Sequence, residues 1–262
     1  MSLALVPTAP RTVPIRVLPT QARTASAAPL ATLCSTCHLR DLCLPCGLTG
    51  TETESLDRLM FARRRVAAGQ TLYRPGDRFH FIYAVRSGTF KTSLTVAGGR
   101  EQVTGFHMAG ELMGLDGLAN GVHASSAIAL EDTEVCAIQY SHLSDLAAQS
   151  GNLQMALARL MSREIVREHS LMVLLGSMNA EERLAAFLLN LSQRLKARGY
   201  SPNEFHLRMS RAEIGSYLGM KLETVSRTFS ALQQQGLLEV DKKHVRITNV
   251  EGLTRAIEAC VH

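Results

Sequence analysis

Short apolar runs broken by glycines and polar residues fill the chain from about residue 63 to 140. The stretches FIYAVRSGTFKTSLTV and SSAIALEDTEVCAIQY alternate apolar and polar positions as half-buried strands do. Gly, Asp and Asn turn residues recur between such runs. Many short strands at close spacing are typical of a β-sandwich or jelly-roll barrel. We therefore predict a β-sandwich or jelly-roll domain over residues 51–145, opened by a short Thr-capped amphipathic helix at residues 51–62.

The spacing of apolar residues becomes helical from about residue 142 to 178. Steps of four, four, three, four and three join the seam residues Leu157, Met161, Ile165, Glu168, Met172 and Leu175. A heptad-like seam packs a helix either on its own domain or on a second copy of the chain. Because this helix stands between two domains, we predict a dimerisation helix over residues 146–178. Glu168 has no effect at a solvated rim, but facing its own copy it would oppose association.

The rest of the chain, residues 179–262, begins with the helical pattern NAEERLAAFLLNLSQRLKARGY, opened by Asn179. In the stretch MSRAEIGSYLGMKLETVSRTF, Ser210 and Glu213 have the spacing of a capping box. Gly219 then supplies a left-handed turn residue before another helix. Two short helices across a glycine turn indicate a helix-turn-helix, and GLLEVDKKHVRIT predicts a two-stranded wing. The predicted fold class is α+β: a jelly-roll β-roll, a long dimerisation helix and a C-terminal winged helix-turn-helix.

The second helix of this motif would enter the major groove of DNA. The residues expected to be exposed near its start are Glu223, Thr224, Ser226, Arg227 and Thr228. Arg can bind guanine in bidentate fashion, Glu accepts from cytosine N4, and Ser serves either base. The wing residues Lys242, Lys243 and Arg246 would meet phosphates, which position a protein without specifying sequence. A plain helical hairpin with a solvated face is the alternative, but the cap, glycine turn, apolar face and wing favour DNA binding.

Length, composition and charge limit the number of domains, the cellular location and the class of partner that we expect. A length of 262 residues suggests two domains. A formal charge of +5 and a pI near 9.0 suit an anionic partner such as DNA. No run of about eighteen apolar residues predicts a membrane span, and the Pro- and Arg-interrupted N-terminus lacks the apolar core of a secretory signal. We expect a cytoplasmic protein with no membrane partner, whose residues 1–30 form a disordered tail.

The segment CSTCHLRDLCLPC concentrates four of the six cysteines within residues 34–46, in a loop that we assign to residues 31–50. In a reducing cytoplasm, clustered thiols favour metal binding or redox chemistry over disulfides. Four thiolates suit tetrahedral zinc as well as a [4Fe–4S] cluster, so the loop alone leaves both alternatives open. Taken alone, Cys136 predicts a buried core cysteine and Cys260 an incidental one.

The order of β-roll, long helix and winged helix-turn-helix resembles the family of the cAMP receptor protein and FNR over residues 30–260. The segments GDRFHFIYAVRSGTFK, EQVTGFHMAGELMG and LETVSRTFSALQQQG are similar to the FNR branch. That resemblance implies a [4Fe–4S] cluster, and the implied ligands are Cys34, Cys37, Cys43 and Cys136. The implied base contacts are Glu223, Ser226 and Arg227. Cys46 departs from the branch, which needs no cysteine there, and we interpret it as a spare thiol.

The resemblance further implies an oxygen-sensing transcription regulator, not an enzyme. Its cluster would favour a homodimer that binds palindromic double-stranded DNA, with half-sites like TTGAT facing ATCAA. Cluster loss in oxygen would release monomers with low affinity for DNA. The family also implies recruitment of RNA polymerase to genes of anaerobic metabolism.

Cyclic nucleotide is not an expected partner. In the family's cyclic-nucleotide branch, a Glu binds the ribose and an Arg binds the cyclic phosphate. By our alignment Leu115 and Ser125 stand at those positions, and His123 is the only basic residue between Glu111 and Glu131. A buried phosphate without a cationic partner would be poorly held.

Three other interpretations compete with this one. A winged-helix regulator with structural zinc at residues 34–46 would need Cys46 but not Cys136. A thiol-redox switch would form reversible disulfides and need no metal. An iron–sulfur enzyme or electron carrier is disfavoured, because the sequence has no nucleotide loop, substrate-activating dyad or second cluster motif. Its cysteine spacing also differs from the Cys-x3-Cys-x2-Cys of radical enzymes.

Overall fold

A computed structural model describes residues 33–59, 61–95 and 98–258. The predictions about the tail at residues 1–30 and about Cys260 lie outside these ranges. The helices in the described ranges are α1 (Gly50–Asp57), α2 (Tyr140–Gln149), α3 (Gly151–Ser177), α4 (Ala180–Lys196), α5 (Arg211–Leu218), α6 (Leu222–Gln234) and α7 (Val250–Glu258). The strands are β1 (Ala62–Val66), β2 (Thr71–Tyr73), β3 (Phe81–Ser87), β4 (Thr89–Thr95), β5 (Glu101–Met108), β6 (Leu112–Met113), β7 (Ser126–Ala129), β8 (Thr133–Gln139), β9 (Glu204–His206), β10 (Leu238–Asp241) and β11 (His244–Ile247).

Two four-stranded antiparallel sheets build the β-roll. One sheet has the strand order β1-β8-β3-β6 and the other β2-β7-β4-β5. Alternate side chains of both sheets point inward, where burying them removes apolar surface from water. This core includes Leu72, Tyr83, Val85, Phe90 and Val135. The predicted β-roll is confirmed.

The helices around the β-roll differ in two ways from the prediction. α1 ends at Asp57, and its cap is Thr49, whose side chain and that of Glu52 form a capping box. The dimerisation helix predicted over residues 146–178 is interrupted at Ser150, which is extended with φ −134° and ψ 106°. The Ser150 hydroxyl accepts a hydrogen bond from the Leu153 amide and so begins α3 as a new helix. No helix in the described ranges is long and apolar enough to cross a bilayer.

The C-terminal domain has the predicted winged helix-turn-helix. Asn179 caps α4, and Ser210 forms a capping box with Glu213 at the start of α5. Gly219 has a φ of +64° and ends α5 in the left-handed region that glycine adopts without strain. The wing strands β10 and β11 pair as predicted, and β9 adds a third strand beside β11.

The β-roll and the C-terminal domain share a hydrophobic core. Val103 and Phe106 of β5 pack with the buried residues of α4, α5 and α6. The rings of Phe106, Phe187 and Tyr217 form a cluster with centroid distances of 5.3–6.1 Å. The two domains therefore remain packed against each other across the boundary near residue 179.

Candidate metal centre and nucleic-acid interface

The cysteine loop, residues 34–46, is a series of tight turns. The Cys37 amide donates to the Cys34 carbonyl at 3.2 Å, and the Cys46 amide donates to the Cys43 carbonyl at 3.0 Å. Leu44 anchors the loop, since its side chain is only 1% exposed. The short spacings in the sequence thus place one pair of thiols at each end of the loop.

Two contacts fasten this loop to the helices beneath it. The Asp57 carboxylate at the end of α1 accepts hydrogen bonds from the Cys34 and Ser35 amides. Leu44 lies in one core cluster with Leu153 and Leu157 of α3. A displacement of the loop would therefore disturb the packing of the first two turns of α3.

Cys136 lies beneath the cysteine loop, on the central strand β8. It pairs with Arg63 of β1 and with Ala84 of β3, and its side chain is 9% exposed. Cys34 and Cys43 pack against the core cluster that contains Cys136. The fold thus brings a residue about 100 positions distant to the loop, which local sequence could not indicate.

The thiols also act on one another electrostatically. Burial raises the pKa of Cys34, and Cys43, Asp57, Cys136 and Cys37 raise it further. Burial likewise raises the pKa of Cys43 to about 12, with added contributions from Cys136 and Cys37 and an opposing hydrogen bond from the Leu44 backbone. Cys46 is not among the groups acting on either thiol. As thiolates these four groups would repel one another, so positive charge among them would be required to hold them ionised.

The donor set fits an iron–sulfur cluster or zinc in its chemistry, because both are bound by four thiolates. No group of three or more His, Cys, Asp or Glu side chains in the described part of the chain is arranged to hold a metal ion as it stands. Arg86 lies at the edge of the thiol group, with its Nη1 atom 3.9 Å from the Cys37 sulfur.

Gly110 gives a test of how closely the cysteine loop must lie on the β-roll. Its φ is +89°, and an added Cβ would lie 2.8 Å from the Leu42 Cβ. We expect Gly110→Ala to cost about 1–3 kcal/mol of stability, because it combines backbone strain with a clash. On the expectation that the loop thiols bind the iron–sulfur cluster that the family resemblance implies, this variant should also retain less iron per chain, because Leu42 and the loop are displaced. Thermal unfolding and iron analysis of protein purified without oxygen measure both effects.

Gly69→Ala is the matched control for this substitution. Gly69 also has a positive φ, +78°, but an added Cβ would meet no atom within 4 Å. It should lose stability through strain alone and keep its iron. Equal iron in the two variants would contradict a close contact between Gly110 and the loop in the working protein.

In the stretch that corresponds to the cyclic-nucleotide site, the carboxylate of Asp116 binds the backbone and hydroxyl donors of the turn that follows it. Asp116 accepts hydrogen bonds from the Ala124 amide at 2.9 Å, the Ser125 amide at 2.9 Å and the Ser125 hydroxyl at 2.8 Å. His123 is buried and stacks on Tyr73 with a centroid distance of 4.0 Å. The N–H and O–H groups that could bind an anion at this turn are thus already bonded to the Asp116 carboxylate.

α3 presents an apolar face to solvent. Its large hydrophobic residues, each 52–59% exposed, are Met155, Ile165, Val166, Met172 and Val173. Two of the predicted seam residues, Ile165 and Met172, lie on this face, and Glu168 is exposed beside it. Met161 and Leu175 are half-buried instead, and Leu157 is buried in its own domain. The heptad reading missed Val166 and Val173, which neighbour the seam rather than lie on it.

The start of α6 presents the predicted base-contacting trio. Glu223, Ser226 and Arg227 are all exposed, at positions i, i+3 and i+4 on one helix face. The expectation that Thr224 and Thr228 are exposed is wrong, because Thr224 is half-buried and Thr228 is buried. The Thr228 side chain is 5% exposed and its hydroxyl donates to the Thr224 carbonyl at 2.9 Å, because this position faces the domain core.

The wing supplies a second positive surface. Lys242 and Lys243 are exposed at its tip, where Lys242 has a φ of +53°. Arg246 is exposed too, but it lies 3.3 Å from Glu239 and 3.5 Å from Glu204. Lys242 and Lys243 have no such ion pair in the described part of the chain, and Lys243 Nζ donates only to the Arg208 carbonyl at 3.3 Å. They are therefore better placed to meet a phosphate backbone.

Comparison with known proteins agrees with this arrangement. A cyclic nucleotide-binding domain model matches residues 63–150, and a Crp-like helix-turn-helix domain model matches residues 182–256. FixK2 from Bradyrhizobium japonicum is similar in structure, with a TM-score of 0.69 and 30% identity over 76% of this chain and 98% of its own. Fold and interface thus define a transcription regulator in which a domain of the cyclic nucleotide-binding type is joined to a DNA-binding domain.

Three curated relatives show to which family of transcription regulators the chain belongs. The transcriptional regulatory protein btr of Bordetella pertussis is 49% identical over 88% of this chain and 97% of its own length. The transcriptional activator protein FnrA of Stutzerimonas stutzeri is 46% identical, covering 84% and 90%. The fumarate and nitrate reduction regulatory protein of Escherichia coli K12 is 43% identical, covering 85% and 89%. The chain belongs to the FNR-type regulators of the cAMP receptor protein/FNR family.

Proposed function

We propose that this protein is an oxygen-responsive transcription regulator that binds DNA as a homodimer when its cysteines hold a [4Fe–4S] cluster. The proposed ligands are Cys34, Cys37, Cys43 and Cys136. The observation that carries the proposal is the packing of the cysteine loop against β8, which sets Cys136 beside the loop thiols. Relatives named for fumarate and nitrate reduction support a role in controlling genes of anaerobic metabolism.

The chain itself provides a route from the thiols to the dimer helix. A bound iron–sulfur cluster supplies a centre whose reactivity with oxygen depends on exposure and surrounding groups. The four ligated thiols would hold the loop on β8, and Leu44 would then stay packed on Leu153 and Leu157 of α3. Without ligation, the loop would be held by Leu44 and by the Asp57 hydrogen bonds, and α3 would lose part of its support. The apolar face of α3 would then pair less well with its copy.

A dimer through α3 would present two copies of α6 to successive major grooves. Two such helices about one turn of DNA apart predict a palindromic site, with half-sites like TTGAT facing ATCAA. Glu223, Ser226 and Arg227 would read base edges, while Lys242 and Lys243 meet phosphates. The bound dimer would recruit RNA polymerase in the cytoplasm, and we assign the protein no enzymatic activity.

The β-roll is proposed to take no cyclic nucleotide. Asp116 already accepts the hydrogen bonds of the Ala124 and Ser125 amides, and a cyclic phosphate would have to displace this carboxylate. Ser125 offers no charge to attract it. The sensor role therefore falls to the cysteine loop.

One preparation tests the proposal directly. The protein is purified without oxygen, and its iron, sulfide, visible spectrum, sedimentation and affinity for a TTGAT palindrome are measured before and after exposure to air. We expect about four irons and four sulfides per chain. After air we expect bleaching, monomers and roughly a hundredfold weaker specific binding at fixed salt. A colourless protein with one zinc, unchanged by air, would overturn the oxygen sensor and leave a regulator with another signal.

A further inference from the structure

We propose that Arg183 locks the helix-turn-helix to the end of the long helix and thereby sets the half-site spacing that the dimer accepts. The inference rests on the proposed function, because it needs a dimer that reads two half-sites. Arg183 would act as a positioning residue rather than as a DNA contact.

The joint between the two helices is short and has no regular structure of its own. α3 ends at Ser177 and α4 begins at Ala180, so only Met178 and Asn179 connect them. Both are extended, with ψ angles of 145° and 178°. Because the connection is only two residues long, the angle between α3 and the C-terminal domain depends on the contacts across the joint. These include the packing of Leu174 on the C-terminal core and the hydrogen bonds of one side chain on α4.

Arg183, one turn into α4, spans it with its guanidinium group. Its Nε atom donates to the Met178 carbonyl at 2.8 Å, and its Nη2 atom donates to the Leu175 carbonyl at 2.8 Å. Its Nη1 atom donates to the Leu218 carbonyl at 3.1 Å. Two of these carbonyls lie at the end of α3 and one at the end of α5.

These carbonyls are well suited to a cation. The last carbonyls of a helix have no partner within it and carry the negative end of the helix dipole. One guanidinium therefore satisfies the ends of two helices at once. The planar fork of arginine can direct separate N–H groups at three acceptors, whereas a lysine ammonium is a single point of charge.

The fold leaves room for this contact at Gly219. An added Cβ there would lie 3.3 Å from Leu175 Cδ2 and 3.5 Å from the Arg183 Nη1 atom. The close approach of α5 to the end of α3 thus depends on a position without a side chain. Gly219 has this second role besides its left-handed turn.

Fixing α5 also fixes α6. The Met220 amide donates to the Gly215 carbonyl at 2.8 Å, and the Val225 side chain of α6 packs close to Gly215. Glu223, Ser226 and Arg227 project from the first turns of that helix. Together with the packing of Leu174 on the C-terminal core, the Arg183 fork therefore fixes where the base-contacting trio stands relative to α3. In a dimer it would thereby fix the distance between the two trios.

The test uses cluster-loaded dimer prepared without oxygen and a set of DNA duplexes. Two inverted TTGAT half-sites are placed at the preferred spacing, one base pair closer and one base pair farther apart, and a fourth duplex carries one half-site. Fluorescence anisotropy at fixed salt gives the affinity of wild type, Arg183→Gln and Arg183→Lys for each. Lys196→Gln, an exposed charge lost from the same helix, is the control.

In the wild type and in Lys196→Gln, one base pair of wrong spacing should weaken binding about a hundredfold, as one or two mismatched base pairs do. In both Arg183 variants this penalty should fall to about fivefold or less, because a loose joint adapts to each spacing. Binding to the single half-site should stay within about threefold of wild type, since the base contacts are intact. Sedimentation and the visible spectrum should be unchanged.

Every other result overturns either the Arg183 proposal or the proposed function. An Arg183 variant that keeps the full spacing penalty overturns the proposal. A variant that loses single-half-site binding as well shows that Arg183 only supports the fold of the domain, and this also overturns it. A wild type that does not bind the palindrome as a dimer removes the proposed function itself, whereas dimeric binding without a spacing preference removes the Arg183 inference alone.

Discussion

Cys43→Ala should yield a protein without iron, whereas Cys46→Ala, three residues away in the same loop, should keep the full complement. The physical reason is position: Cys43 and Cys136 both act on the pKa of Cys34, and Cys136 and Cys37 act on that of Cys43. Cys46 is the loop thiol that the proposed ligand set leaves out. Loss of one thiolate leaves a cluster with an incomplete ligand set. Specific DNA binding without oxygen should fall about a hundredfold, because monomers read only one half-site.

Cys136→Ala completes the comparison, since it changes a thiol on β8 and leaves the loop untouched. We expect it to behave as Cys43→Ala does, with little iron and weak DNA binding. Iron and sulfide analysis, the visible spectrum and anisotropy titration check all three variants. The opposite outcome, in which Cys46→Ala loses metal and Cys136→Ala retains it, would favour a metal site made by the loop alone.

Glu111→Gln should weaken the joint between the β-roll and the C-terminal domain by about 3 kcal/mol, the usual cost of breaking a buried ion pair from one side. The Glu111 carboxylate lies 2.6 Å from Arg194 and 2.6 Å from Arg198. Arg198 also donates to the Ala109 carbonyl of the β-roll at 2.7 Å. An amide in place of the carboxylate leaves two largely buried arginines without their counter-charge. Denaturant unfolding and calorimetry at pH 7 measure the loss.

The same carboxylate makes the joint sensitive to acid. Burial alone would raise the pKa of Glu111, but Arg194 and Arg198 hold it at about 2, below the ordinary value of 4.5. Since the folded-state pKa is the lower one, the stabilisation is fully present above about pH 5 and is lost as the pH falls towards 2. Wild type should lose stability over this window, and Glu111→Gln should lose about 3 kcal/mol less.

Glu131→Gln is the control for both measurements. Its carboxylate lies 3.3 Å from Arg208, whose side chain is more than half exposed, and exposed pairs contribute at most about 1 kcal/mol. If the two variants lost equal stability at pH 7, the Glu111 network would be no more than a surface ion pair.

Local patterns were sufficient for most of the fold. The capping pair Ser210 and Glu213 and the turn at Gly219 are encoded within a few residues, and the structure has them as predicted. The break at Ser150 escaped prediction because helical spacing continues across it, and only the extended backbone and its side-chain cap reveal a new start.

The site depended on contacts between distant parts of the chain. The sequence around Cys136 predicted a core cysteine, because nothing in it suggests a metal ligand. Only the family resemblance grouped Cys136 with the loop cysteines as a ligand. Thr228 was placed on the wrong face because its polarity suggested exposure, whereas a hydroxyl can bond to its own helix and be buried. Glu111 and Arg183 act across domain joints, and no periodicity identifies such partners.

Val103 and Phe106 belong to the β-roll by chain position and to the C-terminal domain by packing. A strand that serves two cores limits how such a protein can evolve by recombination. Joined to a foreign sensor, the winged half would leave Phe187 and Tyr217 without the ring that covers them, and a new apolar surface would meet water. The β-roll and the DNA-binding half must therefore diverge together at Val103 and Phe106, where a substitution has to be tolerated by both cores.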